Sequence, residues 1–461
     1  MYECFFLSAL SQPPKTYPTP RLLLLYHEEK PKLLQACPTC CYTKSMNIFF
    51  SGIGGVGIGP LAQMALDAGY SVQGSDIKES PFTRILEEHG VGIALTQDGA
   101  FLESCHNTSP IDWFVHTSAL PPDHPEILKA HELGIKVVKR DALLAHIIKE
   151  KNLKLIAIAG THGKTTTTSM LIWTLQQLDI PISYSVGTLF SFGPSGTYQE
   201  GSEYFIYECD EYDRNFLQFS PYLSLIPSLD YDHPDTYPTQ QGYLEAFRQF
   251  VHQSHHTIMW RDDDSNISAS AQSSWVLQND EVVPLKLIGA HNQRNATLVL
   301  KALEYLDIRG REQGRAILER FPGTRRRFEK VADNLYTDYA VHPKEILMTL
   351  KMARELSDHV VAVYQPHQNV RQYALKDMYD GCFELAEEVY WLPTYLSRED
   401  PNLATLIPNE LTENIHHPHL YLADLNGTLW TAVETARKNG KLVVFMGAGD
   451  IDTWLRQQLT I

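Results

Sequence analysis

The chain has 461 residues, of which 43% are hydrophobic and 20% are charged, so it can bury several cores, and two to four domains are expected. Its 39 basic and 55 acidic residues give a formal net charge of −16, which disfavours a nucleic-acid surface because phosphate backbones bind clustered lysine and arginine. An anionic substrate would need local basic pockets.

The first 45 residues differ from the rest of the sequence. They are rich in proline and carry four of the seven cysteines, and Met46 stands directly before a strong strand pattern. We predict that residues 1–45 are a disordered leader or a start-site extension. Cys37 and Cys40 have CxxC spacing, but a structural zinc site needs four ligands and no second pair follows. The scattered cysteines, and the lack of an apolar run of roughly 18 residues, predict a cytoplasmic protein without membrane insertion.

Apolar runs alternate with helical patterns in three blocks, which predicts an α/β protein with parallel sheets. The blocks cover residues 46–150, 151–320 and 321–461. Strands are expected at 47–51, near 72, and at 113–116, 155–159, 204–208, 223–227, 360–364, 388–392 and 442–446. Helices are expected at 141–149, 165–178 and 242–253, among others.

A glycine-rich segment follows the first strand. Residues 51–57 read Ser-Gly-Ile-Gly-Gly-Val-Gly, and Gly74, Ser75 and Asp76 follow the second strand. A glycine turn before a helix can hold a pyrophosphate, because backbone N–H groups and the positive end of the helix face it. Taken alone, this spacing predicts a dinucleotide site.

A second loop, residues 160–165, joins the strand at 155–159 to a long helix. It consists of Gly160, Thr161, His162, Gly163, Lys164 and Thr165. Small residues let backbone N–H groups close around phosphate oxygens, the lysine supplies a cation, and the threonine hydroxyl can hold Mg²⁺. Ile158 stands where the strict GxxxxGK[ST] pattern has its first glycine, and an ordinary strand-to-helix turn is the alternative. The sequence nevertheless predicts a triphosphate site in this phosphate loop.

Acidic residues follow two later strands. Residues 208–213 are acidic or thiol-bearing at five of six positions, beginning with Glu208. Residues 229–235 again place aspartates and His233 after an apolar strand. Carboxylates at the carboxyl edge of a sheet indicate a cation near the ligand crevice, although a solvated loop and a capped turn explain the same residues.

Together these segments resemble the ATP-dependent Mur ligases of bacterial cell-wall synthesis, over roughly residues 46–461. The resemblance implies a Rossmann-like N-terminal domain, a central P-loop ATPase-like domain and a C-terminal Rossmann-like domain, with ATP and Mg²⁺ between them. Lys164 is then expected to contact the β- and γ-phosphates, and Thr165, Glu208 and His233 to hold the cation. The other residues expected at ATP are Gly160, Thr161, His162, Gly163, Thr166, His291, Asn292, Asn295, Arg326, Arg327 and Asp338.

The resemblance also implies two further substrates, UDP-N-acetylmuramate and L-alanine. The residues expected at the uridine diphosphate are Gly52, Gly54, Gly55, Val56, Gly57, Ser75 and Asp76. The residues expected at the amino acid are Tyr339, His342, His367, Arg371 and Arg398. For the chemistry itself, Lys164 and Arg326 are expected to neutralise phosphate oxygens, and either His233 or His367 to help deprotonate the amine.

Three departures from the family pattern bear on the choice of amino acid. Thr337, Val341 and Gln368 stand where the family has Asp, His and Arg. The Gln-Pro-His run ending at His367, followed by Arg371, favours the member that uses L-alanine. The alternative within the family joins a whole tripeptide to the same sugar nucleotide.

Two hypotheses lie outside the family. A nicotinamide-dependent oxidoreductase would explain the first glycine segment but not the phosphate loop. A nucleotide-dependent switch would explain the phosphate loop but not the Arg, His and Tyr residues of the third block. The enzyme hypothesis predicts small-molecule partners and a monomer or homodimer.

Overall fold

The computed structural model describes residues 45–117, 120–188, 190–233, 236–267, 273–397 and 399–460. These residues form an α/β fold with three sheets, as the sequence predicts. The leader predicted at 1–45 lies outside the described residues apart from its last residue, and so does Arg398. Below, the first, second and third lobes are the described residues built around the first, second and third sheets.

The first sheet has five parallel strands in the order β3-β2-β1-β4-β5. They are β1 Asn47–Ser51, β2 Ser71–Ser75, β3 Gly92–Ala94, β4 Trp113–His116 and β5 Lys136–Lys139. The helices are α1 Gly59–Asp67, α2 Pro81–Glu88, α3 Ala100–Thr108, α4 Pro125–Glu132 and α5 Arg140–Glu150. The apolar strand β1 is buried along its whole length and lies at the point where the strand order reverses. In such sheets a ligand crevice opens beyond the carboxyl ends of the strands at this point.

The second sheet has seven strands in the order β12-β11-β10-β6-β9-β7-β8, and β7 with β8 is its antiparallel pair. The strands are β6 Lys154–Ile158, β7 Ile182–Ser185, β8 Gly196–Thr197, β9 Tyr204–Glu208, β10 Leu223–Ile226, β11 Thr257–Trp260 and β12 Ser274–Leu277. The helices are α6 Lys164–Gln177, α7 Gln240–Gln253, α8 Arg261–Ile267, α9 Ala290–Tyr305 and α10 Gly314–Leu318. Strand β6 lies between β10 and β9, so the loops that follow these three strands meet at one edge of the sheet.

The third sheet has six strands in the order β13-β14-β18-β15-β16-β17, with β13 antiparallel to β14. The strands are β13 Glu329–Ala332, β14 Leu335–Asp338, β15 Val360–Tyr364, β16 Glu388–Trp391, β17 Leu420–Leu422 and β18 Leu442–Met446. The helices are α11 Pro343–Leu356, α12 Asn369–Leu375, α13 Pro408–Thr412, α14 Gly427–Lys438 and α15 Ile451–Gln458. Short 3-10 helices lie at Tyr212–Gln218, Asn279–Glu281, Arg311–Gln313 and Lys376–Met378.

The first and second lobes share one apolar core. A single cluster of buried side chains contains Ile48 and Phe50 of β1 together with Leu155 of β6 and Phe205 of β9. Buried apolar residues of the third lobe form two clusters of their own, one on each face of its sheet. Hydrophobic burial therefore joins the first two lobes directly.

The predicted elements agree with the observed ones apart from one or two residues at their ends. Strands Asn47–Ser51, Trp113–His116, Val360–Tyr364 and Leu442–Met446 have the predicted bounds, whereas α6 begins and ends one residue earlier than predicted. None of the helices in the described ranges has both the length and the apolar character that a membrane span requires. The domain limits at 150 and 320 stay predictions.

Candidate active site

The phosphate loop connects β6 to α6, and its two glycines have backbone angles that favour glycine. Gly160 has a φ of +145° and Gly163 a φ of +82°. A Cβ on Gly160 would lie 2.6 Å from the carbonyl oxygen of Ser228, and one on Gly163 would lie 2.9 Å from Oδ1 of Asn295. The loop is thus held against the end of β10 and against α9, in front of the amino terminus of α6.

Lys164 is the first residue of α6, and its ammonium group is held by Glu211. Nζ donates to the two carboxylate oxygens of Glu211 at 3.0 and 2.8 Å and to the carbonyl oxygen of Gly160 at 2.6 Å. Burial would lower the pKa of Lys164, but Glu211 and Asp210 raise it above its usual value. The loop therefore carries a fixed positive charge.

A group of possible cation ligands lies beside this pair. Ligand atoms of Asp210, Glu211 and His233 all lie within 4.8 Å of one another, and Nε2 of His233 is 3.6 Å from Oε1 of Glu211. Two carboxylates offer the oxygen ligands that Mg²⁺ prefers, so the donor set fits this ion. The sequence predicted His233 at a cation and did not single out Asp210 or Glu211.

Thr165 and Glu208, which were also predicted at the cation, are in direct contact. The Thr165 hydroxyl donates to Oε1 of Glu208 at 2.5 Å, and the Gly187 N–H donates to Oε2 at 3.3 Å. In the described part of the chain, Glu208 makes no direct contact with His233. The ion-binding roles of Thr165, Glu208 and His233 stay predictions.

A cleft of about 760 Å³ opens beside the phosphate loop, between the second and third lobes. Its lining includes His162, Gly163, Thr166, His291, Asn292, Asn295, Arg327 and Asp338, all predicted at ATP. Burial, assisted by the charge on His162, lowers the pKa of His291 to about 4, so this ring is neutral at neutral pH. Burial raises the pKa of Asp338 to about 6 in spite of the nearby Arg327. A nucleotide-sized cleft with a phosphate loop at its floor suits a nucleoside triphosphate.

His162 of the phosphate loop joins the second lobe to the third. Its Nδ1 lies 3.1 Å from Oε1 of Glu345, near the start of α11, and its Nε2 lies 3.2 Å from Oδ2 of Asp230. Burial would lower the pKa of His162, but these two carboxylates raise it to about 9. The local sequence places Glu345 here, because His342 caps α11 and Glu345 closes the capping box. Lys344 pairs with Asp230 next to this contact.

Arg326 and Arg327, the last two of three consecutive arginines before β13, both lie over the ring of Tyr339 but donate to different groups. Arg326 has a φ of +57°, donates from Nη2 to the carbonyl oxygen of Gly447 at 2.7 Å, and stacks 4.8 Å from the ring of Tyr339. Arg327 instead reaches the second lobe, where its Nη2 lies 3.4 Å from Oγ1 of Thr165. The geometry favours Arg327 as the cation at the phosphate loop, and a phosphate contact by Arg326 stays a prediction.

Residues predicted at the amino acid come together on the third lobe near the second. His367 stacks on Tyr395 with parallel rings 5.8 Å apart. Nη2 of Arg371 lies 3.7 Å from Oδ2 of Asp232, which precedes His233 in the second lobe. His342 lies against the ring of His162, with 5.3 Å between ring centres. Arg371 and His342 therefore contact the second lobe, and His342 does so at the phosphate loop itself.

In the first lobe, the segment 52–57 forms a tight turn at the end of β1. The Gly52 N–H donates to the carbonyl oxygen of Ser75 at 2.8 Å, and the Gly54 N–H donates to Oδ2 of Asp76 at 2.8 Å. The Ser75 hydroxyl donates to the buried carboxyl of Glu126 at 2.8 Å. The outer part of this glycine loop consists of Gly55, Val56 and Gly57. The side chain of Val56 is exposed, so this part of the loop is accessible to a ligand.

Several residues at the site were not singled out from the sequence. Glu211 and Asp210 lay within an acidic run whose first residue was the one chosen. Glu345 and Arg140 lie in ordinary amphipathic helices and approach the site only because lobes meet there. Asp230 belongs to the predicted Asp-His segment, but its pairing with the phosphate loop requires the folded arrangement.

Comparison with known families gives two matches. The model described as "Mur ligase family, catalytic domain" matches residues 47–152, and the model described as "Mur ligase middle domain" matches residues 158–281. These ranges contain the glycine loop, the phosphate loop and both acidic segments.

Two relatives are similar over most of their length. A protein named UDP-N-acetylmuramate--L-alanine ligase from Acetivibrio thermocellus is 32% identical, over 88% of this chain and 94% of that protein. A protein of the same name from Thermosynechococcus vestitus is 30% identical, over 87% of this chain and 93% of that protein.

Solved structures share the fold. The UDP-N-acetylmuramate-alanine ligase of Thermotoga maritima superposes with a TM-score of 0.70 at 24% identity, covering 90% of this chain and 98% of that one. A murein peptide ligase from Psychrobacter arcticus superposes with a TM-score of 0.62 at 23% identity, with the same coverage of both chains. At these identities the likeness is one of fold.

The pH dependence of stability should report the proton on His162. Its pKa in the folded protein, about 9, exceeds the ordinary value of 6.5, so the proton's contribution is full below about pH 6.5 and is lost as the pH rises to about 9. The pKa of Asp230 is lowered to about 2, because His162 and Lys344 outweigh its burial, so this carboxylate stays charged throughout that window. We expect the melting-temperature difference between the wild type and His162→Gln to shrink across this window. A pH-independent difference would contradict the assignment, and His416→Gln, at an exposed histidine, is the control.

Proposed function

The chain belongs to the Mur ligase family, and on that premise we propose that it is an ATP-dependent ligase that joins L-alanine to the lactyl carboxylate of UDP-N-acetylmuramate, a step in the synthesis of peptidoglycan precursors. Two relatives with that activity in their names match this chain almost from end to end. The observation that carries the proposal is the phosphate loop, in which Lys164 and Thr165 contact carboxylates, while His162 and Gly163 of the same loop line a nucleotide-sized cleft.

The first half of the proposed reaction transfers the γ-phosphoryl group of ATP to the lactyl carboxylate, which gives an acyl phosphate and ADP. Two anions must approach each other, so positioned cations determine the rate. Lys164 supplies one cation from the second lobe. Arg327 supplies another from the third lobe, since its guanidinium is already at Thr165. Arg326, the neighbour of Arg327, is the third cation of the proposed set.

Thr165, Glu208 and His233, with Asp210 and Glu211, are the residues proposed to hold Mg²⁺. A bound Mg²⁺ would supply charge neutralisation and alignment of the phosphate oxygens. The chain's own part is to present a hydroxyl and carboxylate oxygens near the Lys164 ammonium.

In the second half of the proposed reaction, the amine of L-alanine attacks the acyl phosphate and inorganic phosphate leaves. His367, stacked on Tyr395, is proposed to take the amine proton, and His233, next to Glu211, is the alternative if it does not hold Mg²⁺. Arg371 offers a cation for the carboxylate of the amino acid. Water would destroy the acyl phosphate, so the third lobe must cover the cleft while both steps proceed.

The remaining residues predicted at the amino acid are proposed to complete its pocket. They are Tyr339, His342 and Arg398. Thr337 and Val341, which depart from the family pattern, are buried behind this region, and the Thr337 hydroxyl donates to Asp452 at 3.0 Å. Neither is a surface residue that an amino acid would contact directly, so these two departures do not argue against L-alanine, whereas the third, Gln368, is half-buried.

We further propose that the protein acts in the cytoplasm. Cys105, Cys209 and Cys382 are free thiols, and all three are buried. Free cysteines are usual in a reducing compartment. A monomer or homodimer stays a prediction.

One assay tests the proposed function. Purified protein with ATP, Mg²⁺ and UDP-N-acetylmuramate should release phosphate when L-alanine is added, and much less with L-serine, glycine or the tripeptide. Preference for the tripeptide would instead assign the protein to the family member that joins a whole tripeptide to the same sugar nucleotide. Slow ATP hydrolysis whose rate does not change when UDP-N-acetylmuramate is added would favour the nucleotide-switch hypothesis.

Removal of the loop cation should abolish most of the activity. Lys164→Ala is expected to lower kcat on the order of 10³-fold, because a preorganised charge at the transferring phosphate is lost. Lys154→Ala is the matched control, since Lys154 lies on β6 but is exposed and pairs with Glu203 at 2.7 Å. Turnover of the Lys164 variant within a few-fold of wild type would reject the loop assignment.

Glu208 should affect the magnesium requirement. Glu208→Ala is expected to move the half-saturating Mg²⁺ concentration up on the order of tenfold or more, because a charged ligand is lost from the proposed ion site. The titration is followed by phosphate release at saturating ATP. Glu203→Ala, at an exposed acidic residue next to β9, serves as the comparison. If the two titrations coincide with that of the wild type, Glu208 is not a ligand.

A further inference from the structure

Arg140 is a cation that the steps above do not use. It is the first residue of α5 in the first lobe, and its side chain is mostly buried. One end of the guanidinium lies against the glycine loop, where a Cβ on Gly57 would overlap Nη1. The other groups near it are carboxylates, since Nε is 3.5 Å from Oδ1 of Asp141 and Nη2 is 3.8 Å from Oδ2 of Asp210. Arg140 thus stands between the glycine loop and the acidic segment of the second lobe.

The donors around Arg140 are largely unused. The guanidinium carries five N–H donors and is mostly buried, yet its hydrogen-bond partner within the described residues is a single carboxylate, Asp141, at 3.5 Å from Nε. The N–H groups of Val56 and Gly57 also donate to no group in the described part of the chain. By contrast, the N–H groups of Gly52 and Gly54, in the same loop, are bonded. Unused donors are therefore concentrated on the outer part of the glycine loop, next to Arg140.

The loop N–H groups and the Arg140 guanidinium together suit a phosphate group. Successive backbone N–H groups before a helix, together with a guanidinium fork, are the donors that bind phosphate oxygens. Asp76, Asp141 and Asp210 place negative charge near the loop, so the charge of Arg140 would favour the binding of an anion there. A diphosphate has enough oxygens to use both the loop N–H groups and the fork.

We propose that Arg140 is a substrate-binding residue, which holds the diphosphate of the sugar nucleotide against the outer part of the glycine loop. The inference rests on the proposed function, because it takes the substrate to be a uridine diphosphate sugar. Asp141 attracts the guanidinium at Nε and Asp210 attracts it at Nη2, which orients it toward Gly57 and leaves Nη1 against the loop. The Arg140 guanidinium is then positioned to bind phosphate oxygens when the substrate enters.

The test compares UMP with UDP, measured by calorimetry without divalent cations. The wild type should bind UDP more tightly than UMP, and Arg140→Met should reduce that preference on the order of tenfold, because a charge-assisted fork to the second phosphate is lost. Arg140→Lys should keep part of the preference, since it retains the charge but not the fork. Arg84→Met removes an exposed arginine of the same lobe and should leave the preference unchanged.

A purely structural role predicts a different outcome. If Arg140 only joins the first lobe to Asp210, its loss should weaken UMP and UDP by the same factor, and that result would overturn the proposal. If Arg140→Met does not fold, as judged by circular dichroism, Arg140→Lys carries the test, and an unchanged preference in that variant is equally decisive. The ligation assay is separate, so wild-type protein that prefers UDP through Arg140 but fails to ligate would reject the proposed function alone.

Discussion

The site depends on one buried ion pair, that between the ammonium of Lys164 and the carboxylate of Glu211. A buried lysine without a partner would lose its proton, whereas here the carboxylate and the Gly160 carbonyl hold it charged at a fixed position. In a protein with a net charge of −16, this arrangement lets a polyanion find positive charge already in place. The pair also keeps Glu211 beside His233, so the cation and its neighbouring carboxylates are arranged by the same contact.

The three lobes supply different parts of the same charge pattern. The second lobe provides the phosphate loop, and the third lobe brings Arg327 to Thr165 and Glu345 to His162. The first lobe reaches the acidic segment through Arg140 and through Lys139, which pairs with Asp213 at 2.8 Å. Each lobe therefore contributes charged groups that are complementary to those of a neighbouring lobe. Residues far apart in the sequence are brought to one site in this way.

The sequence predicted what depends on local pattern and missed what depends on contact between lobes. Strand β15 had its bounds predicted because an unbroken apolar run specifies a strand buried on both faces. The phosphate loop was predicted because small residues, lysine and threonine have fixed spacing. Arg326 and Arg327 show the limit, because two identical neighbours cannot be told apart until a φ of +57° turns one toward Gly447. Glu211 was visible only as one acid among several.

The core shared by the first two lobes has a mechanical consequence. Apolar burial across Ile48, Phe50 and Phe205 joins the first and second lobes, whereas the contacts between the second and third lobes include ion pairs such as that of His162 with Glu345. Higher ionic strength weakens contacts between charged groups and hardly affects apolar burial. Salt should therefore weaken the contact between the second and third lobes more than that between the first and second, and this would favour opening of the cleft and release of the product.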